Sequence, residues 1–274
     1  MFKRRLLALL IAATFALFPA SGQAQGDFSL SDVAEVTVLP GWRTANGTHI
    51  AAIRIALAPG WKTYWRSPGE IGIPPRFSWR GSRNLASVQI HWPTPKISYT
   101  NGLRSIGYSG VTIVPIELTP KGNDQGTIAL RGAIEIGVCR EICVPMVVNI
   151  RIDLPQAGLP DAEIQASLAN RPATASEAGV RSVTCEVESI SDGLRITARI
   201  DIPDMGSEEL AIFELPDKSI WISQAQTTRR GRNLSAIVDF VPANGAPFLL
   251  NRSDVRITIL GERGAVDIKG CSAS

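Results

Sequence analysis

Two cysteines separated by three residues, Cys139 and Cys143, are the side chains in this sequence best suited to chemistry; they stand in Ile136-Gly-Val-Cys-Arg-Glu-Ile-Cys-Val-Pro145. Strand-like patterns flank Arg140–Ile142, so the simplest geometry is a hairpin with one cysteine at each end of its tip. Directly opposed residues of a non-hydrogen-bonded pair bring their Cβ atoms to about 4.5–5.5 Å, close to disulfide geometry. In one continuous strand the two would lie ~13 Å apart, out of bonding range. A bond closing about five residues contributes only on the order of 2 kcal/mol on chain-entropy reasoning. A tight-turn disulfide is a poor staple and easily reduced, and Arg140 favours a thiolate beside it. From the residues alone, a redox pair and an ordinary hairpin staple stand level.

Metal binding is the rival chemistry. Cys139, Cys143 and Met146 form a C-x3-C-x2-M set of soft sulfurs that would suit Cu(I), although Met146 also fits a core position. Zinc is poorly supplied: His49 and His91 are the only histidines, and neither has ligand spacing to the pair. Hydrolytic chemistry has no support, since G-x-S-x-G, H-E-x-x-H and P-loop motifs are all absent.

The remaining cysteines, Cys185 and Cys271, are far apart in sequence. A bridge between them would close about 87 residues and contribute roughly 4–5 kcal/mol, which suits a staple between the first and last segments of a domain; free or intermolecular thiols are the alternative. An even cysteine count takes that meaning in an oxidising compartment, and the N-terminus points to one. Lys3, Arg4 and Arg5 precede a thirteen-residue apolar run, Leu6–Phe18, then Pro19 and small residues. That is the layout of a cleavable export signal, with cleavage expected after Ala24. Its loss leaves 25 basic against 25 acidic residues from the formal +3, a balance that asks for neither nucleic acid nor an anionic membrane.

The elements that must position these cysteines read as strands. VAEVTVL, HIAAIRIAL, VTIVPIEL, TIALRGAIEIGV and VPMVVNIRIDL alternate in period two between Gly-, Pro- and Asn-rich turns. Strand patterning resumes after Val180 in SVTCEVESI, GLRITARIDI, LAIFEL, LSAIVDFV and VRITIL. Between the two groups, DAEIQASLAN (161–170) predicts a short helix capped by Asp161, with ATASEAG as linker. The expected fold is all-β: two immunoglobulin-like antiparallel sandwiches, residues 25–155 and 181–274, joined by a helix and linker over 156–180.

Aromatics crowd the first sandwich: five of six Trp precede residue 93. Most belong to the core, though a Trp-lined surface could bind sugar or a protein loop. In W-x-x-Y-W, period two puts Trp61 and Trp65 on one face and Tyr64 on the other, so at least one ring lies outside the core.

At APGWKTYWRSPGEIGIPP (58–75), GYSG (107–110) and GVCREICVP (137–145), the chain resembles the N-terminal domain of DsbD-type thiol–disulfide interchange proteins, closest to the ScsB-type copper-tolerance branch. The resemblance covers about residues 28–155 well and the second sandwich more loosely. It implies an immunoglobulin-like sandwich in the periplasm whose Cys139 and Cys143 cycle between dithiol and disulfide, with no cofactor. It also implies thioredoxin-fold partners and an aromatic cap over the pair, best matched by Tyr108, with Tyr64 and Trp65 as neighbouring aromatics. Cys143 would form the mixed disulfide and Cys139 resolve it. The family's best-known members place five residues between their cysteines, whereas this chain places three. The sequence ends without the family's membrane and thioredoxin-like domains, so a separate membrane protein is expected to supply electrons. Copper binding and a passive binding module are the alternatives.

Overall fold

The computed structural model describes residues 32–122, 126–243 and 245–273. The export signal expected over residues 1–24 lies outside them. No helix among the described residues is long and apolar enough to cross a membrane.

Ten strands build the first unit: β1 (Ala34–Arg43), β2 (His49–Leu57), β3 (Lys62–Gly69), β4 (Arg76–Ser78), β5 (Ser87–Ile90), β6 (Lys96–Thr100), β7 (Leu103–Ser109), β8 (Val111–Thr119), β9 (Ile128–Cys139) and β10 (Cys143–Leu154). They form two antiparallel sheets, β1-β2-β8-β5 and β10-β9-β3-β7-β6, with β4 added beside β9. Period-two patterning sorts their side chains. In β10 the even-numbered residues from Val144 to Leu154 turn to the core, and the odd-numbered Cys143, Pro145, Val147, Asn149 and Asp153 turn outward. Strand β2 reads as an almost unbroken apolar run because both its faces are covered. Ala51, Ile53, Ile55 and Leu57 enter the sandwich core, while Ile50 and Ala52 lie under the helix α1 (Ala162–Ala169) through Ile164.

Helix α1 starts where the capping signal placed it: the Asp161 carboxylate accepts from Glu163 N at 2.9 Å and Ile164 N at 3.1 Å. Beyond it lie β11 (Ala173–Thr174), β12 (Ser182–Ile190), β13 (Gly193–Asp201), β14 (Leu210–Glu214), β15 (Ile220–Ile222), β16 (Gln226–Arg230), β17 (Asn233–Pro242), β18 (Arg256–Gly261), β19 (Gly264–Lys269) and β20 (Ser272–Ala273). These make a second pair of sheets, β11-β19-β18-β14 and β15-β17-β13-β12-β20, with β16 on β17. The fold is all-β, as read from the sequence. Its pairing is antiparallel except where β11 meets β19 and β20 meets β12 in parallel. The stretch read as linker therefore carries a short strand, and its Ala175 and Ala178 pack on the second core. Cys185 and Cys271 are bonded, tying β12 to the segment just before β20, with the Cys185 side chain fully buried in that core.

The two sandwiches touch through a mixed interface. Trp65, Ile106 and Tyr108 of the first pack with Leu210, Ile212, Leu260 and Ala265 of the second. Beside them Arg66 donates to both Glu214 carboxylate oxygens, at 3.0 and 3.2 Å, and to Thr258 Oγ1 at 3.0 Å. Its guanidinium carbon also sits 3.9 Å from the centroid of the Trp65 ring. Burial pushes the Arg66 guanidinium below its usual pKa and the Glu214 charge opposes that shift.

Candidate functional site

Cys139 ends β9 and Cys143 begins β10; they are direct register partners, bonded, with Cα atoms 4.1 Å apart. Arg140 N donates to Ile142 O at 3.1 Å across the turn, which makes the cysteine pair a non-hydrogen-bonded position, the closer kind in an antiparallel ladder. Arg140, Glu141 and Ile142 are all exposed at the tip. The two sulfurs have unequal surroundings. Cys139 is 2% exposed, whereas Cys143 is exposed.

The asymmetry comes from what lies beside β9. Strand β3 pairs with its end, Lys62 with Cys139 and Thr63 with Val138, and β4 pairs with it three residues earlier at Glu135. The chain between β3 and β4 must therefore arch over the intervening part of β9, on the face that carries the disulfide. Gly137, two residues before Cys139 and on the same face, leaves the room: a Cβ there would stand 2.6 Å from Ile73 Cβ. One residue earlier, Gly72 sits against the Tyr64 ring. The Tyr64 hydroxyl reaches Cys143 Sγ at 3.7 Å. Burial raises the Tyr64 pKa, so the hydroxyl stays protonated and able to donate. Lys62 Nζ donates to Thr100 Oγ1 and Ser105 Oγ, both at 3.0 Å, which places a cation one strand away from Cys139.

Of the residues read from the sequence, Cys139, Cys143 and Tyr64 meet in one place. Tyr64 is the ring outside the sandwich core, while Trp61 enters that core and Trp65 is fully buried at the domain interface. Tyr108 requires a correction. It shares its face with Thr63 and core residue Val138 rather than with the disulfide, and its hydroxyl donates to Pro93 O at 2.8 Å inside the protein. A residue on the inner face of β7 cannot cover a bond on the outer face of β9. The groups beside that face are Tyr64, whose hydroxyl reaches Cys143 Sγ, and Ile73, packed on Gly137. The signal for this arrangement was a glycine two residues before Cys139 and an apolar residue in a Pro- and Gly-rich loop, and neither pattern is specific before the strands are paired.

Met146 is also separated from the pair. Three residues from Cys143 along a strand, it faces inward and packs with Ile136 in the core. The C-x3-C-x2-M sulfur set is thus split between two faces of one sheet. His49 is buried with Nε2 2.6 Å from Pro40 O, and His91 lies 3.1 Å from Glu117. No cluster of three or more His, Cys, Asp or Glu among the described residues is placed to hold a metal. Among the described residues, Trp79 and Trp92 are partly buried and pack with Phe77 against the core.

Residues 35–152, which hold this hairpin and its covering loop, match the family described as thiol:disulfide interchange protein DsbD, N-terminal. That match runs through the first sandwich, from β1 into β10. Among solved structures, the chain is similar to the N-terminal periplasmic domain of ScsB from Proteus mirabilis, with a TM-score of 0.66 and 21% identity. The similarity covers 89% of this chain and 95% of that one, so it extends past the family match into the second sandwich. No curated protein matches the chain.

Proposed function

We propose that this protein relays reducing equivalents in the periplasm by thiol–disulfide exchange through Cys139 and Cys143. The observation that carries the reading is the unequal exposure of one short-loop disulfide: Cys143 offers its sulfur to a partner and Cys139 stays covered. Exchange requires in-line access of a thiolate to one sulfur and a nearby leaving thiol. A donor dithiol attacks Cys143 Sγ, the Cys139–Cys143 bond breaks, and Cys139 departs as a thiolate. The donor's second thiolate then attacks its own sulfur in the mixed disulfide, leaving the donor oxidised and this pair a dithiol. In the outward half, Cys143 thiolate attacks an acceptor disulfide. Cys139 thiolate next attacks Cys143 Sγ, which expels the reduced acceptor and restores the bond. Two electrons enter from the donor and two leave to the acceptor, and no cofactor is needed. The partners in this reading are thioredoxin-fold proteins as acceptors and a membrane protein as donor.

The test is trapping. Reduced Cys139→Ser, which lacks the resolving thiol, should hold a thioredoxin-fold disulfide partner as a stable mixed disulfide, and Cys143→Ser should not. Equilibration of the wild-type pair in glutathione buffers should give a potential between roughly −180 and −270 mV. A value below about −300 mV, with no trapped species, would make the bond structural and the protein a passive module.

A further inference from the structure

The strand carrying Tyr64 and the loop over Gly137 are one continuous stretch, which the second sandwich grips directly at one point and, through Arg104 of β7, at a second. At the first, Arg66 donates to Glu214 and Thr258. At the second, Arg104 N donates to Glu70 Oε2 at 2.7 Å, Glu70 N donates to Arg104 O at 3.0 Å, and the Arg104 guanidinium donates to Gln224 Oε1 at 2.7 Å. The Glu70 carboxyl is held below its usual pKa, chiefly by the Arg104 N–H, with Gln224 a lesser influence. Between the grips lies Gly69, at φ +86°, where a Cβ would stand 2.7 Å from Arg104 O, so the chain turns there in close contact with β7. Tyr64 lies two residues before the first grip; Gly72 and Ile73 lie two and three residues after the second. Tyr64, Gly72 and Ile73 therefore all lie within a few residues of a segment that the other domain helps to pin.

We infer that the second sandwich acts as a brace: through Glu214 and Gln224 it holds the Glu70–Pro75 loop down on Gly137, keeps Cys139 covered, and so makes Cys143 the sulfur that reacts. Gln224, Arg104 and Glu70 are positioning residues, acting through Ile73 and Tyr64 without touching the bond. The inference deepens the redox reading and rests on it, because only an exchanging pair has use for a distinction between its two sulfurs.

Limited alkylation of the reduced protein with iodoacetamide reads the distinction directly. Trypsin cuts after Arg140, so Cys139 and Cys143 fall in different peptides and each is quantified in one digest. In the wild type, Cys143 should be modified much faster than Cys139. Gln224→Ala removes an exposed side chain outside both cores and should raise the Cys139 rate about two- to fivefold, the effect of one exposed hydrogen bond. Gln224→Ala with Glu214→Gln should raise it further, with Cys143 little changed. The wild-type melting temperature retained in Gln224→Ala separates loosened bracing from lost folding. An unchanged Cys139-to-Cys143 ratio in Gln224→Ala overturns the brace. Since iodoacetamide replaces the protein partner, that result leaves the redox reading intact; failure of the trapping experiment with a normal alkylation response would instead overturn the redox reading alone.

Discussion

The Tyr64 hydroxyl stands 3.7 Å from Cys143 Sγ, directed at the exposed sulfur of the pair from a ring that is itself 2% exposed. A buried ring has few alternative rotamers, so this contact is set by the packing of Gly72 against it.

A hydroxyl held there can donate to the Cys143 thiolate once the bond is reduced. Tyr64→Phe should therefore raise the Cys143 pKa by about one unit, the differential worth of one hydrogen bond to a charged sulfur. The pH profile of Cys143 alkylation measures it. A profile identical to wild type would show that the hydroxyl does not serve the thiolate.

Tyr108 offers a pH test of the fold. Burial holds its pKa far above the ordinary tyrosine range, with Arg66 as a weaker opposing influence. The folded state keeps this proton more tightly than the unfolded chain does. Its contribution to stability is thus complete below about pH 10 and is lost as pH rises above that, by at most about 1.4 kcal/mol per pH unit. Denaturant melts of wild type and Tyr108→Phe between pH 8 and 12 should diverge in slope only above pH 10. Below it the variant should be weaker by about 1–2 kcal/mol, because Pro93 O loses its buried donor.

The Arg66–Glu214 pair crosses the domain interface with side chains only 13% and 10% exposed. Removing one partner strands the other charge in a place that has little water. Arg66→Ala should cost about 3–5 kcal/mol, and Arg66→Met, in a chain that also carries Glu214→Leu, much less. Chemical denaturation of the single and double variants checks the order. Equal losses would mean that the pair is effectively solvated.

The Cys185–Cys271 bond has a different duty from the hairpin bond. Cys185→Ser with Cys271→Ser should destabilise the second sandwich by roughly 4–5 kcal/mol on chain-entropy reasoning. Thermal melts read that loss directly. The potential of the Cys139–Cys143 pair, measured in conditions where the variant is still folded, should stay at its wild-type value.

Much of the architecture was legible from local pattern. Alternation in HIAAIRIAL and TIALRGAIEIGV marks strands because neighbouring side chains must point to opposite faces, and Asp161 marks a helix start because free N–H groups need an acceptor. The Cys139–Cys143 hairpin was legible for a similar reason, since three residues leave a bonded pair no other simple geometry. Local rules also carried the separation of Tyr64 from its tryptophan neighbours, because adjacent strand residues cannot share a face.

What the sequence determined by itself, then, is whatever depends on a few adjacent residues: strand parity, the capped helix and the tip of the hairpin. Tertiary structure decided which strands lie side by side, and with that which distant side chains meet. Tyr108 looked like a cover for the disulfide until the register of β7 on β3 turned it inward. Met146 looked like a third sulfur ligand until β10 took its place in the sandwich. Ile73 came to lie on Gly137, and Gln224 became its distant anchor, only when the chain between β3 and β4 crossed over β9 and the second sandwich closed against it. Such contacts join residues that are far apart in sequence, and no local preference encodes them; they follow from burying both apolar faces of two sandwiches and the surface between them.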